Sequence, residues 1–374
     1  MKILILSITA GYGHHAAAKS VSDALTERNA EVINIDAYKS VNKLLYWAVD
    51  TFYLIFTKYT RKPYSAIYSH LETKTRSEKK RHSSGILTRL CSRKVEKLIA
   101  NLQPDAIVCT HVYASLIIND LKRKNKLTNI PALGIITDYT MHPFWDCVPY
   151  IENIAVANEL VAKESEEKGI DKSKLLPTGI PVDKKFAIDI EKNDARKQLN
   201  LPLDKRIVLV MAGSMGYGNI PSIISDIHKY DKECLVLAVC GNNKKHYKKL
   251  TSTANENVKV FGFTEEINLF MAASDCIVTK PGGLTTSEAL IKKLPMILVN
   301  PIPGHEERNL RFFVDNKAAL DVTKQFKVYD ALRELFENHE KLESVKTQLS
   351  HLAKPHAAED IADFVISNCK KQEE

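Results

Sequence analysis

The sequence predicts an α/β protein made of two doubly wound parallel-sheet domains. Three observations carry this. Short apolar runs alternate with helical patterns in both halves of the chain. Glycine-rich turns recur where such a run gives way to a helix. A stretch dense in turn formers, Pro177-Thr-Gly-Ile-Pro-Val-Asp183, separates the two series.

The elements follow in order. Residues 2–9 read as a buried strand, 14–28 as a helix and 31–35 as a second strand, then 41–94 as an irregular basic and aromatic region. Strands resume at Ala106–Cys109, 132–137 and 153–156. The second series begins at 206–212, followed by Gly213-Ser-Met-Gly-Tyr-Gly218, and continues with strands at 234–240, Val258–Phe261, Cys276–Thr279 and 296–299. Residues 357–369 read as a closing helix. The division expected is an N-terminal domain over 1–180 and a C-terminal domain over 190–355. In open parallel sheets ligands bind beyond the carboxyl ends of the strands, and the glycine turns lie there. The expected arrangement has the two domains facing a cleft.

Composition narrows the class. The 374 residues are 44% hydrophobic and 26% charged, as in a globular protein. The seven cysteines are scattered without C-x-x-C spacing, which points to reduced thiols, a reducing cytoplasm and no zinc site. The longest apolar stretch, 44–56, has 13 residues and contains Asp50, short of the roughly 20 needed to span a bilayer. Net charge is +8, yet residues 58–94 alone hold eleven Lys/Arg against Glu72 and Glu78. That excess fits an anionic surface. Residues 44–56 carry five aromatics, Trp47, Phe52 and Phe56 among them, and Lys79, Lys80 and Arg81 follow. The aromatics form one apolar block rather than alternating with the bases, which favours a peripheral contact with an anionic bilayer over nucleic acid. A core helix beside a solvated charged loop is the alternative.

Four turns carry the candidate chemistry. Lys280-Pro-Gly-Gly-Leu-Thr-Thr-Ser-Glu-Ala289 places Gly282 and Gly283 where a strand becomes a helix, a site for a phosphate, with Glu288 about a turn further on for sugar hydroxyls. Pro303-Gly-His-Glu-Glu-Arg-Asn309, one strand later, puts Glu306 and Asn309 on one helix face. The turn Gly11-Tyr-Gly13-His14-His15-Ala16 fits G-x-G-x-x-[G/A], with Asp36 ending the next strand, so an NAD(P) reading stands beside one in which His14 is a general base or a helix cap. Asp138 ends a strand as a histidine orienter, hydroxyl ligand or plain turn residue, and His142 and Trp145 follow it as stacking, acyl-chain or packing residues. Neither a P-loop nor the D-x-D motif of many metal-dependent sugar transferases is present.

Taken in order, these turns together with Thr178-Gly-Ile-Pro-Val182 and Met211-Ala-Gly213 resemble the monogalactosyldiacylglycerol synthase and processive diacylglycerol glucosyltransferase family, over nearly the whole chain. The family is related to the peptidoglycan enzyme that adds GlcNAc to lipid I. The resemblance implies a GT-B fold whose C-terminal helix, 356–372, returns to the first domain. It implies an inverting hexosyl transfer from a UDP-sugar to 1,2-diacylglycerol at the cytoplasmic membrane face, with no metal or other cofactor and no nucleic-acid partner. His14 would be the base, with Asp138 beside it. The donor set implied is Gly213, Ser214, Phe263, Gly282, Gly283, Leu284, Thr285, Glu288, Gly304, His305, Glu306 and Asn309. Gly13, His15, His142 and Trp145 would face the acceptor. Many diacylglycerol members carry Gln where this chain has His305, so glucose and galactose both remain open, as does a UDP-GlcNAc transferase acting on a polyprenyl acceptor.

Overall fold

The computed structural model describes residues 1–8, 12–41, 70, 73, 74, 86–211 and 219–370. The chain forms two compact units. One comprises Met1–Lys184, Ile302–His305 and His356–Glu374; the other Lys185–Pro301 and Glu306–Pro355.

The first unit runs β1 (Lys2–Ser7), α1 (Gly13–Glu27), β2 (Glu31–Asp36), α2 (Ala37–Val41), α3 (Ile86–Leu102), β3 (Ala106–Cys109), α4 (Val112–Arg123), β4 (Ala132–Ile135), β5 (Asn153–Ala155), α5 (Glu159–Glu167) and β6 (Leu175–Leu176). Its sheet is parallel throughout, in the order β2-β1-β3-β4-β5-β6. The inner strands are apolar at successive positions because helices cover both faces of a parallel sheet; Ile3 through Leu6 are wholly buried.

The second unit runs α6 (Lys192–Gln198), β7 (Ile207–Met211), α7 (Ile220–Tyr230), β8 (Leu235–Val239), α8 (Lys244–Thr251), β9 (Val258–Phe261), α9 (Ile267–Ala273), β10 (Cys276–Thr279), α10 (Gly283–Ile291), β11 (Met296–Leu298), α11 (His305–Asp315), β12 (Ala319–Asp321), α12 (Val328–Glu337) and α13 (His339–Leu352). Its parallel sheet has the order β12-β11-β10-β7-β8-β9.

The closing helix, α14 (Ala357–Lys370), joins the first unit. Its Ala358, Ile361, Ala362, Val365 and Cys369 recur at helical spacing and enter the core formed by Ile3, Ile5, Val21, Leu25, Val108 and Ile135. At the rim Arg28 grips Asp363 with two hydrogen bonds, of 2.6 and 2.7 Å.

Three elements depart from the sequence reading. β6 and β12, of two and three residues, are too short to show a period and were not expected. The region expected to be irregular up to residue 94 ends earlier, because α3 begins at Ile86 and buries Cys91, Val95 and Ile99 at intervals of four. The aromatic and basic residues Trp47, Phe52, Phe56, Lys79, Lys80 and Arg81 lie outside the described residues. No described helix is long and apolar enough to cross a membrane.

Candidate active site

In the first unit the strand order reverses between β1 and β3, since β2 lies on one side of β1 and every later strand on the other. Loops leaving two such strands diverge and open a crevice at their carboxyl ends. His14, in the first turn of α1, bridges that point. Its Nδ1 donates to the carbonyl of Thr110, just past β3, at 2.8 Å, and Thr110 Oγ1 donates back to the His14 carbonyl at 3.1 Å. Thr137 Oγ1, past β4, lies 3.1 Å from the same nitrogen. A carbonyl only accepts, so the hydrogen-bond network assigns the proton to Nδ1 and the basic lone pair to Nε2. Burial lowers the pKa of His14 below the usual histidine value; the Asp138 carboxylate and the Thr110 carbonyl oppose that shift. The ring is therefore neutral at physiological pH and oriented, as a general base requires.

Asp138 thus acts on His14 through its charge. Asp138→Asn should lower the pKa of His14 further and carry the acid limb of the kcat/KM profile to lower pH, with a slower plateau because the base is weaker. An unmoved limb, measured between pH 4 and 8, would sever Asp138 from His14.

A second histidine belongs to this cluster and is not among the candidates the sequence offers. The His111 ring lies 4.4 Å from that of His14, edge to face, and stacks at 5.4 Å on Tyr113. Its Nδ1 accepts from the Tyr113 backbone N–H at 3.1 Å, capping α4, so its proton resides on Nε2. Burial, and then His14 and His142, hold its pKa well below the ordinary value. The sequence signal was present: Thr110-His111 directly follows a fully apolar strand, the position already occupied by Thr137-Asp138.

Other acceptor-side candidates scatter. Gly13 opens α1. His15 turns to the strand ends, its Nδ1 3.0 Å from Ser7 Oγ and its Nε2 3.5 Å from Asp36. That places Asp36 in a histidine pair. His142 Nδ1 accepts from the Phe144 N–H at 3.2 Å, and its ring lies 5.4 Å from Phe144 and 6.4 Å from Tyr113. Trp145 packs inward: it is 4% exposed, and its ring covers Gly134 in β4. A Cβ on Gly134 would stand 2.5 Å from Trp145 Cζ3. Gly134→Ala should therefore cost about 1–3 kcal/mol by overpacking, read from the denaturant midpoint; a midpoint equal to that of the parent protein would mean the indole yields freely.

In the second unit the order reverses between β7 and β10. The loop after β10 is the Lys280-Pro-Gly-Gly turn, with Gly282 capping α10. Thr286 and Ser287 send their hydroxyls back to the carbonyls of Gly282 and Gly283 and so stay out of the crevice. The first-turn amides of Gly283, Leu284 and Thr285 belong to the end of α10 that carries positive dipole, and Glu288 sits partly exposed about one turn on. The partner loop after β7, with Gly213 and Ser214, lies outside the described residues. Phe263, past β9, is exposed.

Glu306 and Asn309 meet this turn directly. Glu306 is buried, with Oε1 2.8 Å from the Lys280 ammonium, and Asn309 Nδ2 donates to the Pro281 carbonyl at 3.0 Å. Both side chains, which the resemblance assigns to the donor sugar, thereby also brace the glycine turn. Gly304 adopts φ +91°, a backbone state suited to glycine, just before α11, and His305 is the first residue of that helix. Among the described residues no cluster of metal-ligating side chains occurs.

Two parallel-sheet units of this kind form the GT-B architecture. Solved structures share it over nearly the whole chain. MurG of Acinetobacter baumannii superposes with a TM-score of 0.63 at 14% identity, covering 98% of this chain and 99% of that one. The glycotransferase of kitacinnamycin gives 0.67 at 14% identity, covering 98% of each. The family model for monogalactosyldiacylglycerol synthase matches residues 14–182, and that for the glycosyltransferase family 28 C-terminal domain matches 207–363. The processive diacylglycerol beta-glucosyltransferase of Staphylococcus saprophyticus subsp. saprophyticus (strain ATCC 15305) is 32% identical over 318 residues, 83% of this chain and 78% of the relative. Its counterpart in Bacillus pumilus (strain SAFR-032) is 28% identical over 369 residues, 98% of this chain and 94% of the relative. The chain belongs to the processive diacylglycerol beta-glucosyltransferase family.

Proposed function

We propose that this protein transfers a hexose from a UDP-sugar to the free hydroxyl of 1,2-diacylglycerol with inversion. His14 Nε2 takes the hydroxyl proton as the oxygen attacks the anomeric carbon of a UDP-α-hexose. The C–O bond to the diphosphate breaks, its electron pair leaves with UDP, and a β-glycoside forms. Charge growing on the diphosphate meets the amides that open α10, and Glu288 takes ribose hydroxyls. No divalent metal enters this scheme. Glucose is the hexose we favour, because the relatives at about 30% identity are named for it.

The observation that carries the reading is the hydrogen bond from His14 Nδ1 to the Thr110 carbonyl, which presents Nε2 as a base at the first unit's crossing point. A UDP co-structure of MnaA from S. aureus shares the fold, with a TM-score of 0.65, and supports a uridine nucleotide as the ligand. The acceptor is a membrane lipid, so the reading includes peripheral association with the cytoplasmic face of the membrane. Purified protein incubated with diacylglycerol and UDP-glucose, UDP-galactose or UDP-GlcNAc, followed by mass measurement of the lipid, tests it. A gain of one hexose, or of several in succession, is expected with UDP-glucose. Transfer from UDP-GlcNAc to a polyprenyl acceptor alone would replace the reading, and stabilisation by NAD(P) without UDP would remove it.

A further inference from the structure

The basic and aromatic residues expected at a membrane lie in the first half of the chain, but the second unit carries a basic surface of its own. Helix α8, Lys244–Thr251, reads KKHYKKLT, four lysines in its first six residues. Lys244, Lys245, Lys248 and Lys249 are all exposed, and Tyr247 among them is 39% exposed. Leu250 is buried and fastens the helix to its unit. Asn243 caps it, accepting from the His246 N–H at 3.0 Å.

These lysines differ from others in the chain. Lys2, Lys19, Lys122, Lys124, Lys168, Lys192, Lys205 and Lys280 each sit on a carboxylate. Among the described residues none of the four in α8 has a carboxylate within ion-pair reach. From Asn242 to Glu256 the only acidic residue is Glu256 itself. Four like charges crowded at i, i+1, i+4 and i+5 repel one another and weaken the helix. An anionic partner relieves that repulsion.

We infer that α8 is a docking surface for an anionic lipid bilayer, separate from residues 44–94. The inference rests on the proposed diacylglycerol acceptor, which confines the reaction to a membrane. Three features favour lipid over nucleic acid. The cations are all lysines, point charges suited to a fluid field of headgroups, whereas arginine forks dominate geometric recognition of phosphate. A lone tyrosine among them is an interfacial residue, apolar in body and polar at its tip. The helix also follows β8, so its first turn and the donor turn after β10 share the carboxyl edge of one parallel sheet. A bilayer held there lies on the edge of the unit where the sugar is to be delivered.

The test is sedimentation of the full-length protein with vesicles of phosphatidylcholine containing 30 mol% phosphatidylglycerol (~30% anionic charge, enough to recruit polybasic segments). The variant carries Lys244→Gln, Lys245→Gln, Lys248→Gln and Lys249→Gln; glutamine matches lysine in helix propensity, so the helix is kept. Each lysine near such a surface contributes roughly fivefold in partitioning. The variant is therefore expected to bind at least about tenfold more weakly, with a shallower dependence on salt, and to keep the thermal stabilisation that UDP confers. Equal binding by variant and parent would overturn the inference. So would unchanged vesicle binding together with loss of binding to single-stranded RNA, which would assign the surface to nucleic acid. Because binding is read without sugar transfer, a failure of the proposed reaction in the product assay leaves this outcome legible by itself.

Discussion

His14→Ala is expected to lower kcat by about 10²–10⁴, the usual contribution of a positioned general base. The geometry around the ring is the ground for that expectation. The Thr110 carbonyl fixes the Nδ1–H tautomer at 2.8 Å, burial keeps the ring neutral, and Asp138 lies close enough to favour the cation that forms when the proton arrives. Alanine also removes the donor to the Thr110 carbonyl, so a fall in rate alone does not separate base from brace. His14→Gln separates them, since its amide can still donate to Thr110 but cannot take a proton at neutral pH. Both variants should be slow, and both should bind UDP as the parent does, because the donor turn belongs to the other unit. A glutamine variant with parental kcat would make His14 a structural residue.

The second large effect is expected at Lys280. Its ammonium meets Glu306 at 2.8 Å with both groups mostly buried, the side chains 16% and 5% exposed. Removing one member of a buried pair strands the other charge, and that typically costs about 3–5 kcal/mol. Lys280→Met should lower the thermal midpoint of the second unit by roughly 10 °C, at about 2–4 °C per kcal/mol for a unit of this size. Adding Glu306→Gln to Lys280→Met removes the stranded carboxylate and should restore much of the midpoint. The single variant should also weaken UDP binding, since Glu306 and Lys280 flank the two glycines that open α10. A midpoint within a degree of the parent's would mean that water or another group already satisfies Glu306.

The strands that were easiest to read, Ala106–Cys109 and Cys276–Thr279, are fully buried between helix layers, so every residue had to be apolar. Those that were missed, β6 and β12, are two and three residues at sheet edges, where a neighbour's hydrogen bonds define the strand and no pattern is needed. The site divided in the same manner. His14 and the Gly282-Gly283 turn stood out because a strand-to-helix turn with glycine and an unusual polar residue is a local pattern. His111 was missed because its partners, His14 and Tyr113, come from the first turn of the distant helix α1 and from the helix that His111 caps. The sequence leaves Trp145 open between stacking, acyl-chain and packing roles for a related reason. Exposure of an aromatic beyond a strand depends on what lies beneath it, and here that is the bare backbone of Gly134.

By itself, then, the amino-acid order determined two parallel α/β units, a closing helix, and glycine turns at the carboxyl ends of the strands. These follow from periodicity, glycine placement and burial, all of which are properties of neighbouring residues. Only the tertiary structure decided which nitrogen of His14 holds the proton, which histidine stands beside it, and that Glu306 and Asn309 brace the glycine turn. Each of those depends on a hydrogen bond, ion pair or ring contact between segments remote in the chain, and such contacts exist only once the strands have taken their order in the sheet.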